Sequence, residues 1–219
     1  MSAHRSKGRP AFAVGASLAL LLVLVLGLAG ATLAAGELTA TRPLVRKLSA
    51  AGRGQAAFTM TQTDPMGGPD VVQRGRIALE PPDRVRLDFT PTGERIAVRG
   101  DGGEWIQPSA RQMVRLEREQ AGMASWLWEV FLQGGTTAFT ERTKGPGRYR
   151  LTPRDRDAGL PEGITVLVDA RGLPAEVEYA EPGGAVTRYR FRSWRFMRAR
   201  GARDFTLTAP RGYTTVEVP

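Results

Sequence analysis

Few residues in this 219-residue chain are equipped for chemistry, and their types exclude more than they permit. The only histidine is His4 and there is no cysteine. No Ser/His/Asp triad, histidine metal site, thiolate nucleophile or zinc-thiolate cluster can therefore be built in the rest of the chain, and no disulfide can form. Carboxylates remain for acid-base work. Glu94, Asp101 and Glu104 are the candidates, but each lies in or beside a Gly-rich turn, where such residues shape the turn or face water. The chain reads as a non-enzyme with no cofactor and no metal. The other chemically expressive stretch is Arg188-Tyr189-Arg190-Phe191-Arg192, which interleaves cations with rings as a single-strand nucleic-acid platform does. On a β-strand successive side chains point to opposite faces, so these arginines share one side and the rings the other until the register shifts near Ser193. The arginine side reads as a wet outer sheet surface. Anionic head groups are the partner class it suits, and no nucleic-acid partner is expected.

Formal charge is +9, from 31 basic and 22 acidic residues. Residues 1 to 36 resemble an export leader: Arg5, Lys7 and Arg9 precede an uncharged apolar run through Leu18 to Leu28, and small residues follow. Ala29-Gly30-Ala31 and Ala34-Ala35-Gly36 both fit a cleavage site, while the length of the apolar run also suits an uncleaved membrane anchor. Either outcome places the remaining domain, 37 to 219, outside the cytoplasm. An anchor made by acylated cysteine is excluded. With the three leader cations removed from the 31, 28 basic residues face 22 acidic ones, so the domain keeps a charge of +6.

The elements that must position any site follow from periodicity. Leu38, Thr41, Val45 and Leu48 recur at helical spacing and predict a helix over 37 to 51, ended by Gly52 and Gly54. Residues 55 to 63 alternate with Phe58, Met60 and Gln62 on one side, and 72 to 80 return as a strand carrying Ile77 opposite Ala78. From Pro81 to Gln112 the pattern is a three-stranded meander. Val85, Leu87 and Phe89 alternate with Arg84, Arg86 and Asp88, Ile96 and Val98 supply the second run, and Trp105 the third. Residues 111 to 117 continue as strand. From Gly122 to Leu132 the period becomes helical, with Met123, Leu127, Val130 and Phe131 on one face, and Trp126, Trp128 and Leu132 making the other sides apolar too. Such a helix must be covered, either as a core element or as a lid over an apolar ligand. Further strands are predicted at 139–143, 148–152, 164–169, 175–179, 186–197 and 204–207.

In order and spacing, several short stretches resemble the LolA-type family of periplasmic carriers of outer-membrane lipoproteins. They are Ala57-Phe58-Thr59, Pro82 with Arg84 to Phe89, Asp101-Gly102 followed by Trp105, Pro108 and Gln112, Tyr149 to Pro153, Asp169 to Gly172, and Phe205 to Gly212. The likeness runs from about Leu38 to the C-terminus. It implies a mainly β fold with helices (α+β): an incomplete, strongly curved antiparallel β-barrel, closed by short helices over an apolar cavity. It also implies a monomer in a Gram-negative envelope, taking lipoprotein acyl chains or other lipid from an inner-membrane exporter to an outer-membrane acceptor. The alternative on the same fold is an envelope protein that senses lipid or lipoprotein or docks a partner. The cavity would be lined by Phe58, Met60, Ile77, Val85, Leu87, Phe89, Ile96, Val98 and Trp105 from the sheet. Met123, Trp126, Leu127, Val130 and Phe131 would line it from the helix. The chain departs from the family's pattern at Pro81, where members carry the arginine that latches the lid, and at Met60, where they carry glutamine.

Overall fold

A computed structural model describes residues 38–100, 102–117, 130–135, 138–155, 161–181 and 183–217. The leader, Asp101 and residues 118–129, which hold most of the expected central helix, lie outside the described residues. Glu37–Pro219 form one compact unit.

The helix α1 spans Arg42–Ala51, later than the periodicity predicts. Pro43 explains the shift. Lacking an N–H, proline suits only the first turn of a helix, so the preceding residues form a separate turn in which Leu38 O accepts from the Thr41 and Arg42 amides. Gly52 ends the helix with φ 96°, donating its amide to Leu48 O at 2.7 Å.

Twelve strands follow among the described residues: β1 (Arg53–Gln62), β2 (Val71–Glu80), β3 (Arg84–Phe89), β4 (Arg95–Arg99), β5 (Gly102–Gln107), β6 (Gln112–Leu116), β7 (Phe139–Thr143), β8 (Arg148–Pro153), β9 (Ile164–Val168), β10 (Pro174–Ala180), β11 (Val186–Met197) and β12 (Thr214–Glu217). They make one curved sheet in the order β12-β6-β5-β4-β3-β2-β1-β11-β10-β9-β8-β7. β7 and β12 stand at opposite edges, so the barrel is incomplete, as the resemblance implies. Two meanders, β1 to β6 and β7 to β11, are joined where β1 pairs with β11 from Arg53↔Met197 to Gln62↔Thr187. The register slips once there, between Gln55 and Ala57, and Ser193 has a φ of 57° at the slip. This is the β-bulge expected near Ser193.

The end of the chain differs from the sequence reading. Residues 204–207 are not a strand; Ala202–Phe205 form a 3₁₀ turn. Apolar Phe205 and Leu207 alternate with polar neighbours, which imitates a strand, but backbone and side-chain partners draw the segment across the sheet. Arg86 donates to Asp204 O at 2.7 Å, Arg99 to Phe205 O at 2.8 Å, and the Leu207 amide to Glu104 at 3.2 Å. The chain then adds β12 beside β6 in parallel, a strand that periodicity did not reveal.

A buried ionic cluster fastens this crossing. Glu80, fully buried, accepts from Arg84 at 2.6 Å and from the amides of Arg200 and Gly201 at 2.9 Å. Arg53, 4% exposed, donates to Asp204 at 2.7 Å, lies 4.0 Å from Glu80 and stacks over the Phe205 ring. That guanidinium holds the Asp204 carboxyl below the usual carboxylate range, against a smaller opposing effect of burial.

Candidate functional site

We call inner the face on which α1 and the helical turn Val130–Leu132 pack. Strand register assembles it in rows. Ala56, Ile77, Leu87, Ile96, Trp105 and Val114 stand side by side from β1 to β6. Beside them run Leu79, Val85, Val98, Gly103 and Leu116. A third row is Phe58, Gly75 and Phe89, and here glycine is required: a Cβ at residue 75 would fall 2.2 Å from Asp88 O and 2.7 Å from the Phe58 ring. No charged side chain enters these rows.

Across the junction the rings continue. Phe58 meets Phe89 edge-on at 5.3 Å and Tyr189 at 5.6 Å. Tyr189 meets Phe191 at 6.1 Å, Phe191 meets Trp194 at 5.7 Å, and Phe131 closes on Phe191 at 6.0 Å. Tyr189 is fully buried and its hydroxyl donates to the Met60 sulfur at 2.8 Å. Burial first, then the neighbouring Tyr179 and Glu181, raise its pKa well above the ordinary tyrosine value, so the hydroxyl stays neutral.

Of the residues assigned to the cavity from sequence, Phe58, Ile77, Val85, Leu87, Phe89, Val130 and Phe131 fall in one cluster, each at most 6% exposed. Met60 and Ile96 are half-buried against it, and Val98 is buried beside Ile96. Trp105 is half-buried, with its indole N–H shielded and without a partner. Met123, Trp126 and Leu127 lie outside the described residues. Pro81, in place of the family's arginine, is half-buried and carries no charge to latch anything. The inner face therefore changes character along its width. It is packed over β1 to β3 and β8 to β11, and partly open over β4 to β6, where Ile96, Trp105 and Leu116 remain accessible.

Leu79, Tyr189, Phe191, Val177 and Val166 join the same face but were absent from the sequence-derived set. Alternation in 186–197 put Tyr189 and Phe191 on one side of a strand. Only the pairing of β1 with β11 puts that side next to Phe58 and Met60.

The carboxylate candidates do not converge. Glu104 is clamped by Arg99 at 2.9 and 2.8 Å, Glu94 stays with Thr92 in its own turn, and Asp101 is outside the described residues. Among the described residues no group of three His, Cys, Asp or Glu side chains could hold a metal.

No family model matches the chain, and no curated protein is a significant match. Solved structures do resemble it. A LolA superfamily protein from Nitrosomonas europaea is 13% identical at a TM-score of 0.45, over 76% of this chain and 97% of its own. A candidate outer-membrane lipoprotein-sorting domain from Vibrio parahaemolyticus is 14% identical at 0.45, over 75% and 94%. An uncharacterized conserved protein from Thermus thermophilus is 10% identical at 0.49, over 81% and 98%. The first of these is a member of the family that the sequence resembles. At this distance they leave the functional reading to the chain's own two faces.

Proposed function

We propose that the inner face holds the acyl chains of lipids or lipoproteins, and that the protein is a carrier rather than a catalyst. One observation carries the reading: an uncharged apolar face runs unbroken from β1 to β6 and stays accessible at Ile96, Trp105 and Leu116. An aqueous protein gains nothing from leaving such a strip open unless something apolar covers it. At about 0.8 kcal/mol per buried CH₂, a chain of roughly 16 carbons would gain on the order of 10 kcal/mol there. A carrier has to release its cargo, so part of that gain goes into displacing a cover, and the apolar segment 126–132 is the segment suited to it. In this reading the exported domain takes lipid from an exporter in the inner membrane and yields it to an acceptor in the outer membrane.

The experiment is uptake of a fluorescent fatty acid by delipidated protein, with mass spectrometry of organic extracts from the protein as purified. Saturable uptake is expected. Trp105→Phe should reduce the ligand-induced change in tryptophan emission, and Trp194→Phe should keep it. Ile96→Glu should abolish uptake in a protein that still melts cooperatively. No uptake by the parent protein, or full uptake by the Ile96 variant, overturns the proposal.

A further inference from the structure

The outer face of the same sheet is basic along its centre, and its chemistry is independent of the acyl-chain reading. Along β11 the outward residues are Arg188, Arg190, Arg192 and Arg195, and β2 adds Arg74 and Arg76 two strands away. Acidic neighbours neutralise only part of this row. Arg188 pairs with Glu178, Arg190 with Glu176 at 2.9 Å, and Arg86 forks onto Asp88, the one carboxylate in register with Arg76. The acids of this surface are thereby used up at β10 and β3. Among the described residues, no ion pair joins Arg76, Arg192 or Arg195 to a carboxylate, and all three are exposed.

Two of these cations, Arg76 and Arg195, line a concavity. At the bulge the surface sinks into a depression of about 230 Å³, lined by Gln55, Ala56 and Ala57 of β1, Arg76 of β2, and Ser193 and Arg195 of β11. Its shape has a simple cause. Ala57 lies directly between Arg192 and Arg76 in the register, and its methyl group leaves the space between them unfilled. Strands about 4.8 Å apart put the two arginine backbones roughly 10 Å from each other across that floor, a span that extended guanidiniums can bridge around a tetrahedral anion. The extra residue Ser193 spreads Arg192 from Arg195 and brings a hydroxyl-bearing side chain to the rim.

We propose that this depression binds a phosphate group, with Arg76 and Arg195 as its principal ligands and Arg192 beside them. Guanidinium suits the task, since its planar fork meets phosphate oxygens two at a time. The phosphate could belong to a lipid head group or to a small soluble ester, and the experiment separates these sources.

Full-length protein is titrated with inorganic phosphate and with glycerol 3-phosphate. In parallel it is mixed with vesicles of phosphatidylcholine alone or with one quarter phosphatidylglycerol. The difference between the two vesicle types cancels any apolar contribution of residues 1–36. The double variant R76Q/R195Q should weaken the phosphate-dependent signal at least about ten-fold, the loss of one or more charge-assisted hydrogen bonds. Ala57→Glu, which places a carboxylate on the floor, should do the same. R203Q/R211Q, which removes equal charge from exposed positions elsewhere, should leave binding intact. Loss of soluble phosphate binding assigns the site to small esters, and loss confined to phosphatidylglycerol vesicles assigns it to head groups. The proposal is overturned if the parent protein shows neither signal, if R76Q/R195Q binds as the parent does, or if R203Q/R211Q loses as much. Fatty-acid uptake by the inner face should be unchanged in all four proteins, so the two readings fail separately.

Discussion

The same strands present two surfaces of opposite chemistry, and β11 shows the contrast within twelve residues. Inward, Tyr189, Phe191, Trp194 and Phe196 form a run of ring contacts, with all but Phe196 buried. Outward, Arg188, Arg190, Arg192 and Arg195 face solvent, two of them paired with acids and two, among the described residues, not. The inner surface is cooperative. Through Tyr189 and Phe191 the run meets Phe58 of β1, which in turn meets Phe89 of β3, and Phe131 of the turn at 130–132, so removing one ring opens a void that its neighbours cannot fill. On the outer side of β11 the ion pairs are bathed in water, and losing one of them changes stability little. Along this strand the inner side carries the fold, while the outer side is free to be spent on recognition.

Four substitutions or conditions break that contrast in order of size. Phe58→Ala removes the ring that meets Phe89 and Tyr189 above Gly75, and should cost roughly 3–5 kcal/mol in urea unfolding. Glu80→Ala strips the buried cluster of its acceptor and leaves the Arg84 guanidinium and the amides of Arg200 and Gly201 without their partner; a loss on the order of 3 kcal/mol is expected. Hydrogen exchange in that variant should quicken first around residues 200–207. The effect of acid is smaller. Arg53 depresses the Asp204 carboxyl in the folded protein, so the contribution of this pair is complete above the unfolded carboxylate pKa of about 3.9 and is lost as pH falls through the lower folded value. Asp204→Asn should therefore flatten the acid limb of a stability-against-pH curve and leave its neutral region parallel to the parent's. Smallest is Arg190→Gln, which removes a surface pair with Glu176 and should move stability by less than about 0.5 kcal/mol.

The meander from β3 to β5 was legible in the sequence because its pairing is local. Val85, Leu87 and Phe89 alternate with charges, turns of few residues follow, and the apolar side can only face inward. Phe58, Ile77 and Val98 were placed for the same reason. Elsewhere the deciding partner is distant in the chain. Nothing near Tyr189 announces Met60 as its neighbour 129 residues earlier, and nothing in Thr214 to Glu217 announces a parallel place beside β6. Residues 204–207 misled because Asp204 and the carbonyls around it satisfy arginines on β1, β3 and β4, and that demand outweighs a four-residue alternation. The helix start was displaced by Pro43, a signal present in the sequence that the apolar stripe overrode.

The bulge at Ser193 has a consequence for how the chain could have been written. On either side of it the arginines already point out and the rings in: Arg192 out, Trp194 in, Arg195 out, Phe196 in. A chain shortened by that one serine would keep the whole alternation in phase, as an unbroken strand against Gln55 to Ala57. The sheet has no need of the residue, and holding a non-glycine side chain at φ 57° works against it. What the serine supplies is a dent, and a sequence that retains a spare, conformationally costly letter there is spelling something other than the fold.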